Sequence, residues 1–188
     1  MPEPFSTALV VGHAQPPITH MPSEPEAYLE RLSQCITTAR TAGVPVIYAK
    51  LSFRNEYVEL PTPSASRRAI EPAGMFLKDV SDGLDPAVEP EPGDIVIDCT
   101  RISAFAYTPL EPILRALGIE RIALAGISTG GVILGTLVDA RCRDFEAVVL
   151  EDLCYQPGDA QASLLEAFKD PWSAEIVSSA EWLRGLGS

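Results

Sequence analysis

Short runs of β-branched and other apolar residues alternate along this chain with amphipathic stretches, and this alternation restricts the fold more than any other feature. The first run, Ala-Leu-Val-Val at residues 8–11, is apolar on both faces, as a strand inside a parallel sheet must be. Regular exchange of strand and helix is typical of βαβ units. We therefore predict a three-layer, Rossmann-like α/β fold in which helices flank a central parallel sheet. The length of 188 residues fits a single domain spanning 1–188.

The positions of the elements follow from the same patterns. Strands are predicted at 7–12, 44–50, 94–98, 121–125, 147–151 and 175–177. Capping-box patterns at 23–26 (Ser-Glu-Pro-Glu) and 108–111 (Thr-Pro-Leu-Glu) predict the starts of two helices. Further helices are predicted at 132–143, 160–168 and 180–186. Residues 54–93 form a long connection without periodicity, and such a connection is uncommon unless it covers a site or lies in an interface.

The charge of the chain excludes several classes of partner. The formal net charge is −12 and the sequence pI is about 4.5, so phosphate backbones and anionic lipid surfaces are repelled. We therefore expect no nucleic-acid partner. No apolar run approaches the roughly 18 residues that a membrane span needs, so no membrane partner is expected. The first residues lack the pattern of a signal peptide, and the expected location is cytoplasmic.

Cysteine and histidine usage argues against a metal site. The four cysteines (Cys35, Cys99, Cys142 and Cys154) include no Cys-x-x-Cys pair, so zinc-ribbon and thioredoxin-like sites are not predicted. The chain has only two histidines, His13 and His20. We expect neither a metal ion nor another cofactor.

Three motifs fall at the ends of predicted strands. His13 follows the first strand, and Cys99 ends the third within Ile-Val-Ile-Asp-Cys-Thr-Arg-Ile-Ser-Ala-Phe at 95–105. The fourth strand runs into Gly-Ile-Ser-Thr-Gly-Gly-Val-Ile-Leu-Gly-Thr at 126–136, which contains Ser128 and Val132. In open α/β sheets, ligands bind at the carboxyl ends of the strands. These motifs therefore predict a site at that edge for a small-molecule substrate or ligand.

The same motifs resemble the core of the isochorismatase-like (cysteine hydrolase) superfamily. In that family one strand runs into Lys-x-x-x-Ser-Ala-Phe and a later one into Gly-Val-x-Thr-x-x-Cys-Val, while the first strand ends in Ile-Asp-x-Gln. By position, His13 stands for the aspartate, Cys99 for the lysine and Val132 for the nucleophilic cysteine. The resemblance covers nearly the whole chain, but all three reactive side chains are replaced.

The resemblance also implies how such a site works. Family members attack an amide with the cysteine and form a thioester, while two backbone N–H groups stabilise the oxyanion. Those donors correspond to the backbone amides of Ser128 and Val132, and Arg101, Phe105 and Tyr107 lie beside the site as substrate-binding candidates. No histidine follows the second strand, where some relatives hold a metal. A homo-oligomer, dimer or tetramer, is implied as well.

The replacements leave alternatives open. His13 could act as a general acid or base, or line the pocket as a hydrogen-bonded imidazole. Cys99 could be a relocated nucleophile, or a small apolar filler at the end of a buried strand. Two functions follow. The first is an enzyme for a small organic metabolite, a hydrolase by resemblance. The second is a catalytically inactive pseudoenzyme that serves as a binding or assembly subunit.

Overall fold

A computed structural model describes residues 6–170 and 174–186, and within them the chain forms one parallel six-stranded sheet of order β3-β2-β1-β4-β5-β6. The strands are β1 Thr7–Gly12, β2 Val46–Leu51, β3 Ile95–Cys99, β4 Arg121–Ile127, β5 Glu146–Tyr155 and β6 Glu175–Val177. The helices are α1 Pro25–Thr41, α2 Ala65–Ile70, α3 Leu110–Ala116, α4 Leu134–Arg141, α5 Gln161–Lys169 and α6 Ser179–Gly185. The predicted α/β fold is therefore confirmed.

Strand β1 lies in the middle of the sheet and has a buried core on each face. Leu9 and Val11 belong to one apolar cluster, whereas Ala8 and Val10 belong to the other. The first cluster includes side chains of α1 and α6, and the second includes side chains of α3, α4 and α5. The alternation along β1 thus produces the three layers, because successive side chains of a strand point to opposite faces.

The two predicted capping boxes are wrong in detail. Helix α1 begins at Pro25, so its N-cap is Glu24 rather than Ser23, and it has no side-chain capping bond. The N-cap of α3 is Pro109, and the Thr108 hydroxyl instead accepts a bond from Leu110 N–H and donates to Ala104 O. A true capping box occurs at the start of α6, where Ser178 and Glu181 bond each other reciprocally.

The long connection between β2 and β3 has more structure than its sequence predicts. It contains α2 and short 3-10 turns, and Phe53 forms an isolated parallel bridge with Leu77. Its later part bonds to the segment after β1, where Asp85 N–H donates to Ala14 O at 2.9 Å. The connection therefore packs against the carboxyl ends of β1 and β2.

The link from β4 to α4 also departs from the prediction of one helix over 132–143. Residues Thr129–Ile133 form a wide helical turn with non-helical backbone angles at Gly131, and α4 begins only at Leu134. No described helix is long and apolar enough to cross a membrane.

Candidate active site

His13, Cys99 and the 128–133 turn all lie at the carboxyl edge of the sheet, as the sequence predicts. They follow or end β1, β3 and β4 in that order. Strand β2 separates β1 from β3, whereas β1 and β4 are neighbours. His13 and the turn are therefore adjacent along this edge, and Cys99 lies two strands from His13.

His13 is a buried imidazole in an uncommon backbone conformation. Its φ is +54°, and the residue is 6 % exposed. Burial lowers the pKa of His13 from 6.5 to about 4, so the ring is neutral near pH 7. Within the described part of the chain, its buried Nε2 has no hydrogen-bond partner. Buried polar atoms are nearly always bonded, so this one indicates a ligand or a water molecule at the edge.

Gly12 and Val132 pack so closely that each restricts the other. A Cβ added at Gly12 would lie 2.7 Å from Cγ2 of Val132, closer than van der Waals contact allows. Gly126 on β4 has φ +141°, and a Cβ there would collide with the backbone of Gly12. Two glycines thus let β1, β4 and the turn approach one another, and the Val132 side chain fills the space beside Gly12 at 2 % exposure.

The 128–133 turn is anchored by its own backbone and by two glutamines. The peptide bond between Ile127 and Ser128 is cis, and Ser128 O accepts bonds from the N–H groups of Gly131 at 3.1 Å and Ile133 at 3.3 Å. Gln156, directly after β5, accepts a bond from Gly130 N–H at 2.8 Å. Gln161, the first residue of α5, accepts one from the Thr129 hydroxyl at 2.7 Å. Neither glutamine carries a sequence signal, because the contacts join residues 26 and 32 positions apart.

Cys99 is fully buried, and its environment disfavours the thiolate. Burial, followed by the nearby charge of Asp98, raises the pKa of the Cys99 thiol to about 12. The thiol belongs to the same apolar cluster as Val132, on the α3 and α4 side of the sheet. These surroundings favour the packing interpretation of Cys99, since the thiolate is the reactive form.

The three substrate-binding candidates occupy different surroundings. Arg101 donates to Thr100 O at 2.6 Å and to Glu59 O at 3.0 Å, and its guanidinium lies 5.6 Å from the centre of the Tyr107 ring. Tyr107 is 88 % exposed. The two carbonyl bonds use only two of the five N–H donors of the Arg101 guanidinium, so donors remain for an anion.

Phe105 differs from these two residues. It is 5 % exposed and packs on Phe145, with the guanidinium of Arg143 5.1 Å from its ring centre. Phe105 belongs to the second apolar cluster, which includes side chains of α3, α4 and α5.

A charged network at the end of β2 has no counterpart among the motifs of the sequence. Lys50 Nζ donates to Asp82 at 2.5 Å, and the Ser52 hydroxyl donates to the same carboxylate oxygen at 2.8 Å. Burial opposes ionisation of Asp82, but the bonds from Lys50 and Ser52 outweigh it and lower the pKa of this carboxyl. Lys50 also lies 3.7 Å from Asp98, its register partner on β3. This network holds the long connection against the sheet next to His13.

Metal ligands are not assembled anywhere in residues 6–170 and 174–186, where no group of three or more His, Cys, Asp or Glu side chains could hold an ion.

Comparison with known proteins places this chain in one family. The isochorismatase domain model matches residues 7–181, so the chain belongs to the isochorismatase family. A curated relative, the ureidoacrylate amidohydrolase RutB of a Methylorubrum extorquens strain, is 34 % identical over 143 residues. That match covers 69 % of this chain but only 58 % of the relative, so the chain spans less than two thirds of the relative's length.

Solved structures agree on the fold. A cysteine hydrolase from Pseudomonas syringae pv. phaseolicola 1448A superimposes with a TM-score of 0.84 at 21 % identity, covering 100 % of this chain and 99 % of that one. N-carbamoylsarcosine amidase from Thermoplasma acidophilum gives 0.78 at 24 % identity, with 93 % and 96 % covered.

Proposed function

We propose that this protein hydrolyses a small N-carbamoyl or amide compound by direct attack of water, with His13 as the general base. In this proposal the backbone amides of Ser128 and Val132 stabilise the negative charge that develops on the carbonyl oxygen. Support for the substrate class comes from family membership and from the ureidoacrylate amidohydrolases among its relatives.

The observation that carries the proposal is the state of His13. A neutral imidazole can accept a proton from water, and burial, which lowers the pKa of His13 to about 4, keeps the ring neutral throughout the physiological range while making it a weaker base than a free imidazole. Its Nε2 is buried and unpaired within residues 6–170 and 174–186, so no described protein group competes with the attacking water for this nitrogen. The residue also holds a positive φ, and unusual backbone conformations of this kind concentrate at functional sites.

The reaction cannot pass through an enzyme thioester at the family position. Val132 has no nucleophilic atom, and the pKa of about 12 leaves Cys99 as a neutral thiol, which in this proposal contributes to the pocket wall. Water therefore supplies the oxygen. Its proton passes to His13, its oxygen bonds to the carbonyl carbon, and the C–N bond breaks as ammonia leaves with that proton.

Arg101 and Tyr107 give the substrate its second point of attachment. The guanidinium has donors left after its two carbonyl bonds, and arginine forms paired bonds to carboxylates. The substrate class that fits best therefore carries a carboxylate as well as the carbamoyl or amide group, as ureidoacrylate does. Phe105 contributes an apolar wall.

A second candidate function is binding without turnover. The observation that favours it is the packing of the Val132 side chain against Gly12, which fills space with an isopropyl group where relatives hold the nucleophile. A pseudoenzyme of this kind would bind the same compounds and release no ammonia.

Ammonia release from ureidoacrylate and from N-carbamoylsarcosine distinguishes the two functions. We expect turnover by the unaltered protein, a loss of about 10²–10⁴-fold in kcat for His13→Asn, and a rise of about tenfold or more in KM for Arg101→Met. Asparagine is chosen because it tolerates positive φ. The matched control is Arg68→Met, which removes an arginine of α2. Saturable binding with no ammonia released, in both the unaltered protein and His13→Asn, would instead establish the pseudoenzyme.

A further inference from the structure

Gln15, two residues after His13, has a side chain that is completely buried. Its amide nitrogen donates to Leu51 O at 2.9 Å and to Asp82 O at 2.8 Å, and its amide oxygen accepts a bond from Leu51 N–H at 2.7 Å. Both amide hydrogens are thus used. The last paired residues of β1 and β2 are Gly12 and Ala49. The Gln15 side chain bonds Leu51 as a backbone peptide would, and so extends the pairing beyond the end of β1.

The backbone of His13 needs such support. A positive φ is unfavourable for a residue with a Cβ, and it persists where surrounding contacts hold it. His13 N–H donates to Ala49 O at 2.8 Å, and Gln15 N–H donates to His13 O at 2.8 Å. Asp85 N–H donates to Ala14 O at 2.9 Å. Backbone bonds therefore hold each residue of the 13–15 segment, and the Gln15 side chain adds three more bonds to the same two elements, β2 and the long connection.

We propose that Gln15 is the positioning residue of the site, and that its three side-chain hydrogen bonds fix the turn that places the unpaired Nε2 of His13. Gln15 acts through His13 and does not touch the substrate. Its effect on turnover rests on the proposed function, whereas its effect on the surroundings of the imidazole does not.

The charged groups on the elements packed against this segment are Lys50 at the end of β2 and, in the connection, Asp82 and Asp85. Lys50 and Asp82 neutralise each other at 2.5 Å, and Asp85 accepts a bond from the Thr19 hydroxyl at 2.8 Å. The lowered pKa of His13 has burial as its cause. Loss of the Gln15 bonds should loosen the segment and admit water, which raises the pKa of His13 towards 6.5.

Proton NMR titration of the imidazole C–H groups tests this proposal without a substrate. The chain has two histidines, so a His20→Asn variant assigns the His13 signal. Gln15→Met keeps the length of the side chain and removes its hydrogen bonds. We expect the pKa of His13 to rise by about one unit or more. We also expect kcat for ureidoacrylate to fall about tenfold or more, because the loosened turn no longer holds the imidazole in place for proton transfer.

A matched control and a milder variant separate the effect of Gln15 from a general loss of folding. Ser179→Ala removes a hydroxyl bond of 2.7 Å to Asp152, so it perturbs a polar contact on α6 and should leave the His13 titration unchanged. Gln15→Asn retains the amide but is one methylene shorter, and should give an intermediate shift if Gln15→Met does not fold. An unchanged His13 titration in folded Gln15 variants overturns the proposal. A shifted titration with no turnover by the unaltered protein would reject the proposed function and leave the positioning role standing.

Discussion

Replacing His13 by asparagine should change how the stability of the protein depends on pH. Burial lowers the pKa of His13 from 6.5 to about 4, so the unfolded chain binds a proton at this residue more readily than the folded protein does. This difference in pKa contributes to the free energy of unfolding. The contribution is fully present above about pH 6.5 and is lost as the pH falls towards about 4. The full difference is about 3 kcal/mol, of which about 2 kcal/mol is lost between pH 7 and pH 5.

Urea unfolding at pH 7 and at pH 5 measures this effect. The unaltered protein should lose about 2 kcal/mol more than His13→Asn over that interval, because all other titrating groups are common to both proteins. His20→Asn is the matched control, because it removes the other histidine of the chain, whose side chain is 57 % exposed. Equal losses in the unaltered protein and His13→Asn would refute the burial of this imidazole.

Three further predictions concern packing, reactivity and assembly. Gly12→Ala should cost about 1–3 kcal/mol in urea unfolding because its Cβ meets Val132. The double variant with Val132→Ala should lose less than the sum of the two single losses, and additive losses contradict the contact. Cys99 should resist thiol labelling in the folded protein at pH 8 while the exposed Cys142 reacts, and a Cys142→Ser variant that still labels rapidly would be contrary evidence. Sedimentation should give a dimer or tetramer in which residues 54–93 resist limited proteolysis; a monomer cleaved rapidly in that segment contradicts this prediction.

The positions of the strands were predictable because they depend on local patterns. The run at 8–11 is apolar at every position, which requires burial on both faces, and this is where β1 lies. Helix starts were less predictable. The capping pattern at 23–26 predicts Ser23 as the N-cap of α1, whereas the N-cap is Glu24. Local motifs predict that a helix begins, whereas the capping contact depends on the backbone angles of each residue.

The sequence predicts the edge of the sheet at which the candidate site lies, but not the burial or the hydrogen bonds of its side chains. His13, Cys99 and the 128–133 turn share an edge because parallel strands point their carboxyl ends the same way. The depth of Cys99, which favours a packed thiol over a nucleophile, results from helices that cover it. The bonds of Lys50 to Asp82 and of Gln15 to Leu51 join residues more than 30 positions apart, and nothing local encodes them.

The most direct test of His13 as the base is the ¹⁵N NMR signal of its Nε2 during addition of ureidoacrylate at pH 7. We predict a saturable shift of this resonance that is reduced by Arg101→Met, because the unpaired nitrogen meets the bound compound or its attacking water. If ureidoacrylate protects the protein against thermal unfolding while the His13 resonance does not move, the ligand binds elsewhere and His13 is not the base.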